Sequence, residues 1–370
     1  MKFYLIAGER SGDLHGSNLI KQLKQREPAA QFRGFGGDYM RQAGMDEVVH
    51  YRELAFMGFA EVVANLRTIS KKIKQCKRDI LAYKPDVVIL IDYAGFNMRI
   101  AKFATKHHIK VFWYISPKVW AWNQGRAFKL KANVDRMFAI LPFEKEFFKK
   151  FSWDIDYVGN PVLDAIKSHQ AGPGFKHDLN SNPDSKIIAL LPGSRRQELK
   201  KIIPLMAGVA SKLTEFQFVV AAVSNLSRDL YKDLQHLPNV KFVNDASYDL
   251  LSVADAAVVT SGTATLETAL FRVPQVVVYK TSWLTYTIGK LVIKVPFISL
   301  VNLIANREVV KEMIQENATV EPVVAELTKI VKDDRYRTKM LADYDEIIRI
   351  LDTGSASENT ARLMLEYLKK

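Results

Sequence analysis

Short apolar runs alternate with amphipathic segments along almost the whole chain. The runs in the first half are nearly continuous in apolar residues, as in parallel strands that are covered on both faces. They lie at Phe3–Ala7, Phe32–Phe35, Val87–Ile91, Val111–Ile115 and Arg136–Ile140. Apolar residues at helical spacing predict helices between them, at about 14–25, 61–83 and 99–107. This alternation predicts a parallel sheet with right-handed crossovers.

A segment without periodicity, 168–184, separates this half from a second alternating unit. Its glycine, proline, asparagine and serine residues are typical of an interdomain linker. Further strands are predicted beyond it, at Ile187–Leu191, Phe218–Ala222, Val240–Val243, Ala256–Thr260 and Gln275–Tyr279. The chain ends on two predicted helices, the last behind a capping box at Ser355–Glu358. A length of 370 residues also favours two domains, which we place at 1–170 and 171–349.

Composition restricts the class of protein. A hydrophobic content of 48% with 25% charged residues is typical of a folded globular protein. The single cysteine, Cys76, excludes an internal disulfide and fits a reducing compartment. The N-terminal apolar run is too short for a signal peptide, and no run approaches the roughly 20 residues of a membrane span. We therefore expect a cytoplasmic protein that is at most peripheral on a membrane.

The net charge of +13 calls for an anionic partner, which could be nucleic acid, a membrane face or phosphorylated substrates. Much of it lies on the predicted helix 61–83. Its apolar stripe comprises Val62, Leu66, Ile69, Ile73, Cys76 and Ile80, and its basic face Arg67, Lys71, Lys72, Lys74, Lys77 and Arg78. A packed helix with a solvated basic face explains this pattern as well as a lipid-binding helix does. No nucleic-acid-binding motif is present, so nucleic acid is not an expected partner.

Two strand–loop–helix junctions in the second half are typical of phosphate binding. Leu190–Glu198 contains Gly193 and Ser194, and Thr260–Glu267 contains Ser261, Gly262 and Thr263. Small residues at the start of a helix leave backbone N–H groups and the positive end of the helix dipole facing a ligand. Each junction alone is common in doubly wound folds. The pair favours one phosphorylated ligand at the carboxyl edge of one sheet.

Polar side chains near these junctions have two interpretations each. Arg195 opposes the helix dipole, which a bound anion would explain, whereas Ser194 with Gln197 could form a simple capping box. Glu267 could accept hydrogen bonds from a sugar diol or merely pair with the dipole. Asn302 could reach the same crevice or cap the start of a helix.

The first half has its own candidates, again at the carboxyl ends of strands. The loop after the first strand contains Ser11, Gly12 and His15, but its glycines do not have the dinucleotide-binding spacing. His15 could be functional or a satisfied histidine of a helix start. Asp92 follows Val87–Ile91 and could accept a proton with a raised pKa, or cap the next helix.

Metal chemistry is not expected. Asp154–Asp156 and Asp343–Asp345 match the Asp-x-Asp pattern of some sugar transferases, but both are better explained as solvated charge. The sequence therefore predicts neither a metal site nor a cofactor.

Blocks along nearly the whole chain resemble the lipid-A-disaccharide synthase family. They are Ala7–Asp13, Glu53–Val62, Ile91–Asn97, Ser116–Trp122, Leu141–Lys145, Val158–Pro161, Leu191–Arg195, Ser261–Glu267 and Asn302–Glu308. Ser-Pro-Lys-Val-Trp-Ala-Trp, 116–122, is a very specific marker. Arg10 stands in place of a small residue and Asn160 in place of a frequent histidine, which affects local contacts only.

The resemblance implies a GT-B glycosyltransferase, with two Rossmann-like parallel-sheet domains facing a cleft and a C-terminal helix, about 350–370, packing back on the first. Its reaction would transfer 2,3-diacylglucosamine, with inversion, from UDP-2,3-diacylglucosamine to the 6-hydroxyl of 2,3-diacylglucosamine 1-phosphate (lipid X). The products would be the β-1,6-linked tetraacyl disaccharide 1-phosphate of lipid A biosynthesis, and UDP. Peripheral contact with the cytoplasmic face of the anionic inner membrane would use the basic excess and apolar residues such as Phe56, Met57 and Phe59. Whether the protein forms a homodimer is not decided by the resemblance.

The resemblance also implies roles for the candidates. Asp92 would take the proton of the acceptor hydroxyl, and Arg195 with the helix starts after Gly193 and Gly262 would stabilise the departing diphosphate. Glu267 would hold the ribose. The remaining donor-side residues would be Ser194, Ser261, Thr263 and Asn302, and the acceptor-side residues Ser11, Gly12 and His15.

Two other functions stay open from the sequence. One is another UDP-sugar-dependent GT-B transferase or epimerase with a soluble substrate. The other is a non-catalytic lipid-phosphate carrier on the same scaffold.

Overall fold

Two compact units make up the protein. The structure, a computed structural model, describes residues 1–54, 66–172, 174–179, 185–224, 226–282, 286–287, 289–290, 293 and 295–369. Unit 1 comprises Met1–Pro161 and Asp352–Lys370, and unit 2 comprises Val162–Leu351. Each unit is built on one parallel sheet.

Unit 1 has a seven-stranded sheet in the order β3-β2-β1-β4-β5-β6-β7. The strands are β1 (Lys2–Ala7), β2 (Gln31–Gly36), β3 (Asp46–His50), β4 (Val87–Ile91), β5 (Lys110–Tyr114), β6 (Arg136–Ala139) and β7 (Asp156–Tyr157). Its first helices are α1 (Arg10–Arg26), α2 (Asp38–Gln42), α3 (Leu66–Tyr83), α4 (Ala94–Lys106), α5 (Arg126–Lys131) and α6 (Pro142–Lys149). The strand order reverses between β1 and β4, which is where doubly wound sheets bind ligands.

Unit 2 has a six-stranded sheet in the order β10-β9-β8-β11-β12-β13. The strands are β8 (Ile187–Leu191), β9 (Gln217–Ala222), β10 (Val240–Asn244), β11 (Ala256–Thr260), β12 (Gln275–Tyr279) and β13 (Glu312–Ile314). The helices from the unit boundary onward are α7 (Pro161–Lys167), α8 (Phe175–Leu179), α9 (Arg196–Lys212), α10 (Lys232–Gln235), α11 (Ser247–Val253), α12 (Thr263–Leu270), α13 (Leu300–Ala305), α14 (Val320–Lys332) and α15 (Asp334–Leu351). The order reverses between β8 and β11.

The last helix, α16 (Ala356–Lys369), belongs to unit 1. Its residues Ala361, Met364 and Leu365 are buried in the same cluster as Leu5 and Leu19. Burial of this stripe, which recurs every three to four residues, explains why the chain returns to the first unit.

The described elements differ from the predicted ones mainly at edges. The short strands β3, β7 and β13 were not predicted, since they have few apolar residues and lie away from the sheet centres. Helix α1 begins at Arg10 rather than near Leu14, so its glycines lie inside a helix. The segment 168–184, predicted to lack regular structure, contains α8.

Helix α3 confirms most of the predicted stripe. Ile69, Ile73, Cys76 and Ile80 are buried, but Leu66, predicted to be core, is 50% exposed. Val62 and the predicted helix start at 61–65 lie outside the described residues.

Candidate active site

Asp92 lies at the topological switch of unit 1, immediately after β4. Residue Ile91 pairs with Ala7 of β1 on one side and Tyr114 of β5 on the other. Asp92 and Tyr93 both have left-handed backbones, with φ of 44° and 45°. Such a conformation costs on the order of 1–3 kcal/mol for a non-glycine residue and is concentrated at functional sites. Tyr93, not Asp92, is the N-cap of α4, so the capping interpretation of Asp92 is wrong.

Neighbouring groups hold this strained turn in place. The Asn97 amide donates to the carbonyl oxygens of Ile91 (3.3 Å) and Asp92 (2.9 Å). The Tyr93 hydroxyl donates to the Leu54 carbonyl at 2.8 Å. Gly8 makes room for the Tyr93 ring, because a Cβ at residue 8 would lie 2.3 Å from its Cγ. Asp92 is therefore placed by residues on three separate segments.

The electrostatic surroundings of Asp92 suit a base. The pKa of its carboxyl is raised to about 6, chiefly by burial and secondly by the Glu9 carboxylate. The Lys118 ammonium and a hydrogen bond from the Tyr93 N–H act in the opposite direction. A carboxyl with this pKa is mostly ionised at neutral pH and is a stronger base than an ordinary aspartate.

The acceptor-side candidates lie on the first turns of α1. Ser11 is exposed, whereas Gly12 is buried and would bring a Cβ within 3.3 Å of the Ala7 Cβ. Burial lowers the pKa of His15 to about 4, so this imidazole is neutral at pH 7. Its buried Nδ1 has no hydrogen-bond partner among the described residues. A neutral, unsatisfied nitrogen can accept a hydrogen bond from a ligand hydroxyl.

The two predicted phosphate loops of unit 2 leave neighbouring strands. Leu191 of β8 pairs with Val259 of β11, so the loops emerge side by side at the switch of this sheet. Gly193 has φ +98°, a backbone region that favours glycine. Arg195 is the N-cap of α9, with an exposed guanidinium 3.2 Å from the Glu198 carboxylate. Ser194 is exposed and does not cap the helix, so the capping-box interpretation is wrong.

The second loop leads into α12 through Gly262, its N-cap. No side chain caps this helix, and Thr263 at its first position is exposed. The Ser261 hydroxyl donates to the Ile298 carbonyl at 2.9 Å. Before it, the buried Thr260 hydroxyl has no partner within the described part of the chain. First-turn N–H groups without caps are suited to bind an anion.

Glu267, further along α12, has a buried carboxyl. Burial raises its pKa to about 7, and a hydrogen bond from the Tyr248 hydroxyl of α11 partly offsets that effect. The Tyr248 ring packs edge-on against Phe271, with the ring centres 5.3 Å apart. The carboxylate is thus oriented by a second helix and is not simply a surface charge near the helix dipole.

Asn302 is the candidate whose structural position differs most from expectation. It lies within α13, whose N-cap is Ser299, so it does not cap a helix start. It is fully buried, and its Oδ1 accepts from the N–H groups of Val309 (2.7 Å) and Val310 (3.0 Å). Its Nδ2 donates to Val310 O and to Glu312, both at 2.9 Å. The amide therefore holds the segment between α13 and β13 rather than pointing to a ligand.

The other polar groups near Asn302 also have protein partners. Arg307 forms ion pairs with Asp343, at 3.2 Å, and with Glu346, both on α15. Asp343 also pairs with Lys339, and Asp345 pairs with Arg272. These carboxylates are thus engaged in ion pairs.

No group of three or more metal-ligating side chains occurs among the residues that the structure describes.

The sequence matches one family over almost its entire length. Residues 3–365 match the model of the family described as lipid-A-disaccharide synthetase. The chain belongs to the lipid-A-disaccharide synthase family. The relatives of that name from Syntrophus aciditrophicus and Geobacter sulfurreducens are 39% and 36% identical. The alignments cover 99% and 100% of this chain, and 97% and 98% of those proteins.

Solved structures confirm the GT-B class of fold with two Rossmann-like parallel-sheet domains. The UDP-GlcNAc 2-epimerase of Neisseria meningitidis bound to UDP-GlcNAc superposes with a TM-score of 0.68, at 16% identity and full coverage of both chains. The glycotransferase of kitacinnamycin gives 0.70, at 13% identity and 99% coverage of both. At these identities the likeness concerns the fold alone.

Several residues of this synthase family member that contact the candidates were not identified from the sequence. Asn97 and Lys118 lie in recognised blocks, but only the sheet shows that both act on Asp92. The Asp13 carboxylate, in the loop-to-helix block after β1, accepts the N–H groups of Gly37, Tyr39 and Met40 at the start of α2. No sequence signal identifies Tyr248, because it meets Glu267 only through packing of α11 on α12.

Proposed function

We propose that the chain transfers 2,3-diacylglucosamine from UDP-2,3-diacylglucosamine to the 6-hydroxyl of lipid X, releasing UDP. The match of residues 3–365 to a family named for lipid A disaccharide synthesis carries this assignment. The geometry supports it, because each unit places suitable groups at its topological switch. The Asp92 carboxyl with its raised pKa lies in unit 1, and two helix starts without side-chain cap hydrogen bonds lie in unit 2.

Asp92 is the base of the proposed reaction. It takes the proton of the acceptor hydroxyl as the oxygen attacks the anomeric carbon and the bond to the UDP oxygen breaks. Its raised pKa makes it a competent acceptor at neutral pH. On the acceptor side, the exposed Ser11, the first turn of α1 around Gly12 and the neutral His15 provide hydrogen-bonding groups.

Unit 2 holds the donor in this proposal. Arg195 and the helix starts after Gly193 and Gly262 bind the diphosphate and stabilise the charge that develops on it as UDP leaves. Ser194, Ser261 and Thr263 line the same loops, and Glu267 accepts hydrogen bonds from the ribose diol. Asn302 contributes indirectly, since its buried amide positions the segment beside the Ser261 loop.

Contact with the anionic cytoplasmic face of the inner membrane fits the net charge of +13. No helix in the described part of the structure is long and apolar enough to cross a membrane. Exposed Arg67, Lys71, Lys74 and Arg78 give α3 a basic outer face. Phe56, Met57 and Phe59, the apolar residues expected to assist, lie outside the described residues. A homodimer is compatible with this scheme.

Release of UDP from the two acylated sugars tests the proposal. We expect turnover with acylated donor and acceptor, little with acyl-free analogues, and no loss of rate when EDTA is added. Equal activity on acyl-free substrates would instead indicate a transferase or epimerase of soluble sugars. Vesicle binding without UDP release would indicate a lipid-phosphate carrier.

Replacement of Asp92 by asparagine removes the proposed base. Asp92→Asn should lower kcat by about 10²- to 10⁴-fold, the usual contribution of general base catalysis. UDP affinity, measured by calorimetry, should be unchanged because the base acts only in the transition state. The exposed Glu146→Gln is a matched control that should retain activity. Full turnover by Asp92→Asn would remove this residue from the mechanism.

A further inference from the structure

A buried carboxylate on α6 connects that helix to the segment that follows β5. Glu144 is 1% exposed, and each of its oxygens accepts two hydrogen bonds. Oε2 accepts the N–H groups of Ile140 (3.2 Å) and Leu141 (3.0 Å), which closes the start of α6. Oε1 accepts the Ser116 hydroxyl and the Trp120 indole N–H, the latter at 3.0 Å. The proposed mechanism uses none of these groups.

The segment that Glu144 holds is strained at its start. Ile115 has φ +65°, which is a genuine outlier for a β-branched residue. Its N–H donates to the Phe138 carbonyl at 3.0 Å, and its own carbonyl accepts the Trp113 indole N–H at 3.2 Å. The Trp120 ring packs edge-on against Phe143, with the centres 4.9 Å apart. A backbone of this kind persists only where its surroundings impose it.

This segment carries a cation, Lys118, on the loop that emerges next to Asp92. Strands β4 and β5 are neighbours, so the residues after Tyr114 emerge beside Asp92. Lys118 lies between the two residues that Glu144 holds, and it is exposed. Its ammonium acts on the Asp92 carboxyl against the effects of burial and of Glu9. The position of Lys118 therefore depends on a backbone that is fixed at Ser116 and Trp120.

We propose that Glu144 is a positioning residue for the transfer reaction, which clamps Ser116 and Trp120 and so fixes the loop that carries Lys118 where it emerges next to Asp92. This inference rests on the proposed function, in which Asp92 is the base. Glu144 does not touch substrate; it acts through the loop. Its second oxygen, bound to the start of α6, anchors the clamp to the sheet edge after β6. Burial, and secondly the Glu144 carboxylate, raise the pKa of the Tyr157 hydroxyl on β7 to about 12.

Removal of the loop-side donors tests the clamp while leaving the cap of α6 intact. Ser116→Ala, Trp120→Phe and their combination each leave Oε2 bound to Ile140 and Leu141. We expect the combined variant to lower kcat about 10- to 100-fold, because small misplacements near a reacting group have effects of this size. The KM for the donor should stay within about twofold, since unit 2 is unaltered.

The pH profile separates positioning from a purely structural role. Lys118→Gln should move the acidic limb of kcat/KM to higher pH, because the ammonium lowers the pKa of Asp92. The loop variants should move the limb in the same direction, and Lys118→Gln added to them should shift it no further. Glu146→Gln, an exposed glutamate on the same helix, should leave both rate and profile unchanged.

The outcomes distinguish this inference from the function on which it rests. An unshifted limb in the loop variants, or a shift that adds to that of Lys118→Gln, contradicts the clamp. A lower kcat that merely follows a lower melting temperature in all three loop variants also contradicts it. Full turnover by Asp92→Asn, in contrast, would overturn the proposed base first and the clamp with it.

Discussion

At the carboxyl edges of the two sheets, the pKa and the hydrogen bonds of a single residue depend on the groups around it. The same residue type behaves differently according to its partners. The buried Asp92 carboxyl has a raised pKa and accepts a hydrogen bond from the Tyr93 N–H, whereas the Asp13 carboxylate accepts three backbone N–H groups at the start of α2. Both follow apolar segments of the first half, so the sequence does not separate them. The difference comes from which donors the fold brings within reach.

Glu267 leads to a prediction about pH. Its pKa of about 7 means that the carboxyl is protonated progressively as the pH falls below neutrality. A protonated carboxyl accepts fewer hydrogen bonds from a ribose diol, so the affinity for UDP should fall. Linkage to one proton, with about tenfold weaker binding of the neutral form, predicts about a fivefold weaker Kd at pH 6 than at pH 8.5.

The matched variant for this measurement is Glu267→Gln. It should weaken UDP binding about tenfold at pH 8.5, within the range for a hydrogen bond to a charged group. The remaining pH dependence should be only that of the nucleotide phosphate. Titration calorimetry at several pH values measures both effects. A wild-type protein whose pH dependence equals that of the variant would exclude Glu267 from the ribose site.

Alanine substitutions at Gly193 and Gly262 should have different effects on the stability of unit 2. Gly193 has φ +98°, and a Cβ there would lie 2.6 Å from a Glu198 carboxylate oxygen. Gly193→Ala should therefore destabilise unit 2 by about 1–2 kcal/mol. Gly262 has an extended backbone and open space at the Cβ position, so Gly262→Ala should leave the melting temperature unchanged. An equal loss of stability in both variants, measured by thermal unfolding, would contradict the backbone argument.

Whole elements were largely predictable where their periodicity is strong. Strands β1, β4, β8, β11 and β12 were located almost to the residue, because central parallel strands are apolar on both faces. Both candidate sites follow such strands, so their loops were found too. The edge strands β3, β7 and β13 were missed, since exposed edges do not require apolar residues. The contacts of Asn302 were not predicted, because its partners belong to the segment near β13.

Substitutions at Asn302 and Asn306 compare a buried asparagine that holds a segment with an exposed asparagine at the end of the same helix. Asn302→Ala would remove the partner of the Val309 and Val310 N–H groups, together with the bonds to the Val310 carbonyl and to Glu312, and should cost about 2–4 kcal/mol of stability. Asn306 is exposed and ends α13 with φ 51°, a conformation that glycine adopts readily. Asn306→Gly should therefore be neutral or slightly stabilising in urea unfolding. A harmless Asn302→Ala would show that the amide is not structural.

The molecule as a whole consists of two units, of which the first is completed by the end of the chain. Residues that are far apart in sequence meet there, for example Asn359, whose amide donates to the Val158 carbonyl at 3.2 Å. The capping box and apolar stripe of the last helix were readable in the sequence. That the helix packs on unit 1 was expected from the family resemblance, and the burial of Met364 beside the β1 residues shows it.

We expect Met364→Ala to lower the stability of unit 1 but not that of unit 2. Its side chain is fully buried, and truncation of buried methionine costs about 2–5 kcal/mol. Hydrogen exchange should quicken in β1 and β4 but not in β8 and β11. Arg362→Ala on the same helix removes only an exposed ion pair with Glu366 and should have little effect. Faster exchange across both units would contradict this assignment of α16.

The sequence by itself determined the alternation of strands and helices, the family and the loops that carry the candidate site. These features are local, because periodicity, small residues and helix starts depend on neighbours along the chain. Only the tertiary structure decided which polar side chains are available for chemistry. Asp13, Asn302 and Glu144 are all satisfied by groups brought from other segments, and Asp92 is strained and raised in pKa by its neighbours. Hydrogen bonding and desolvation between distant residues have no signature in a single sequence, so this part of the site required the fold.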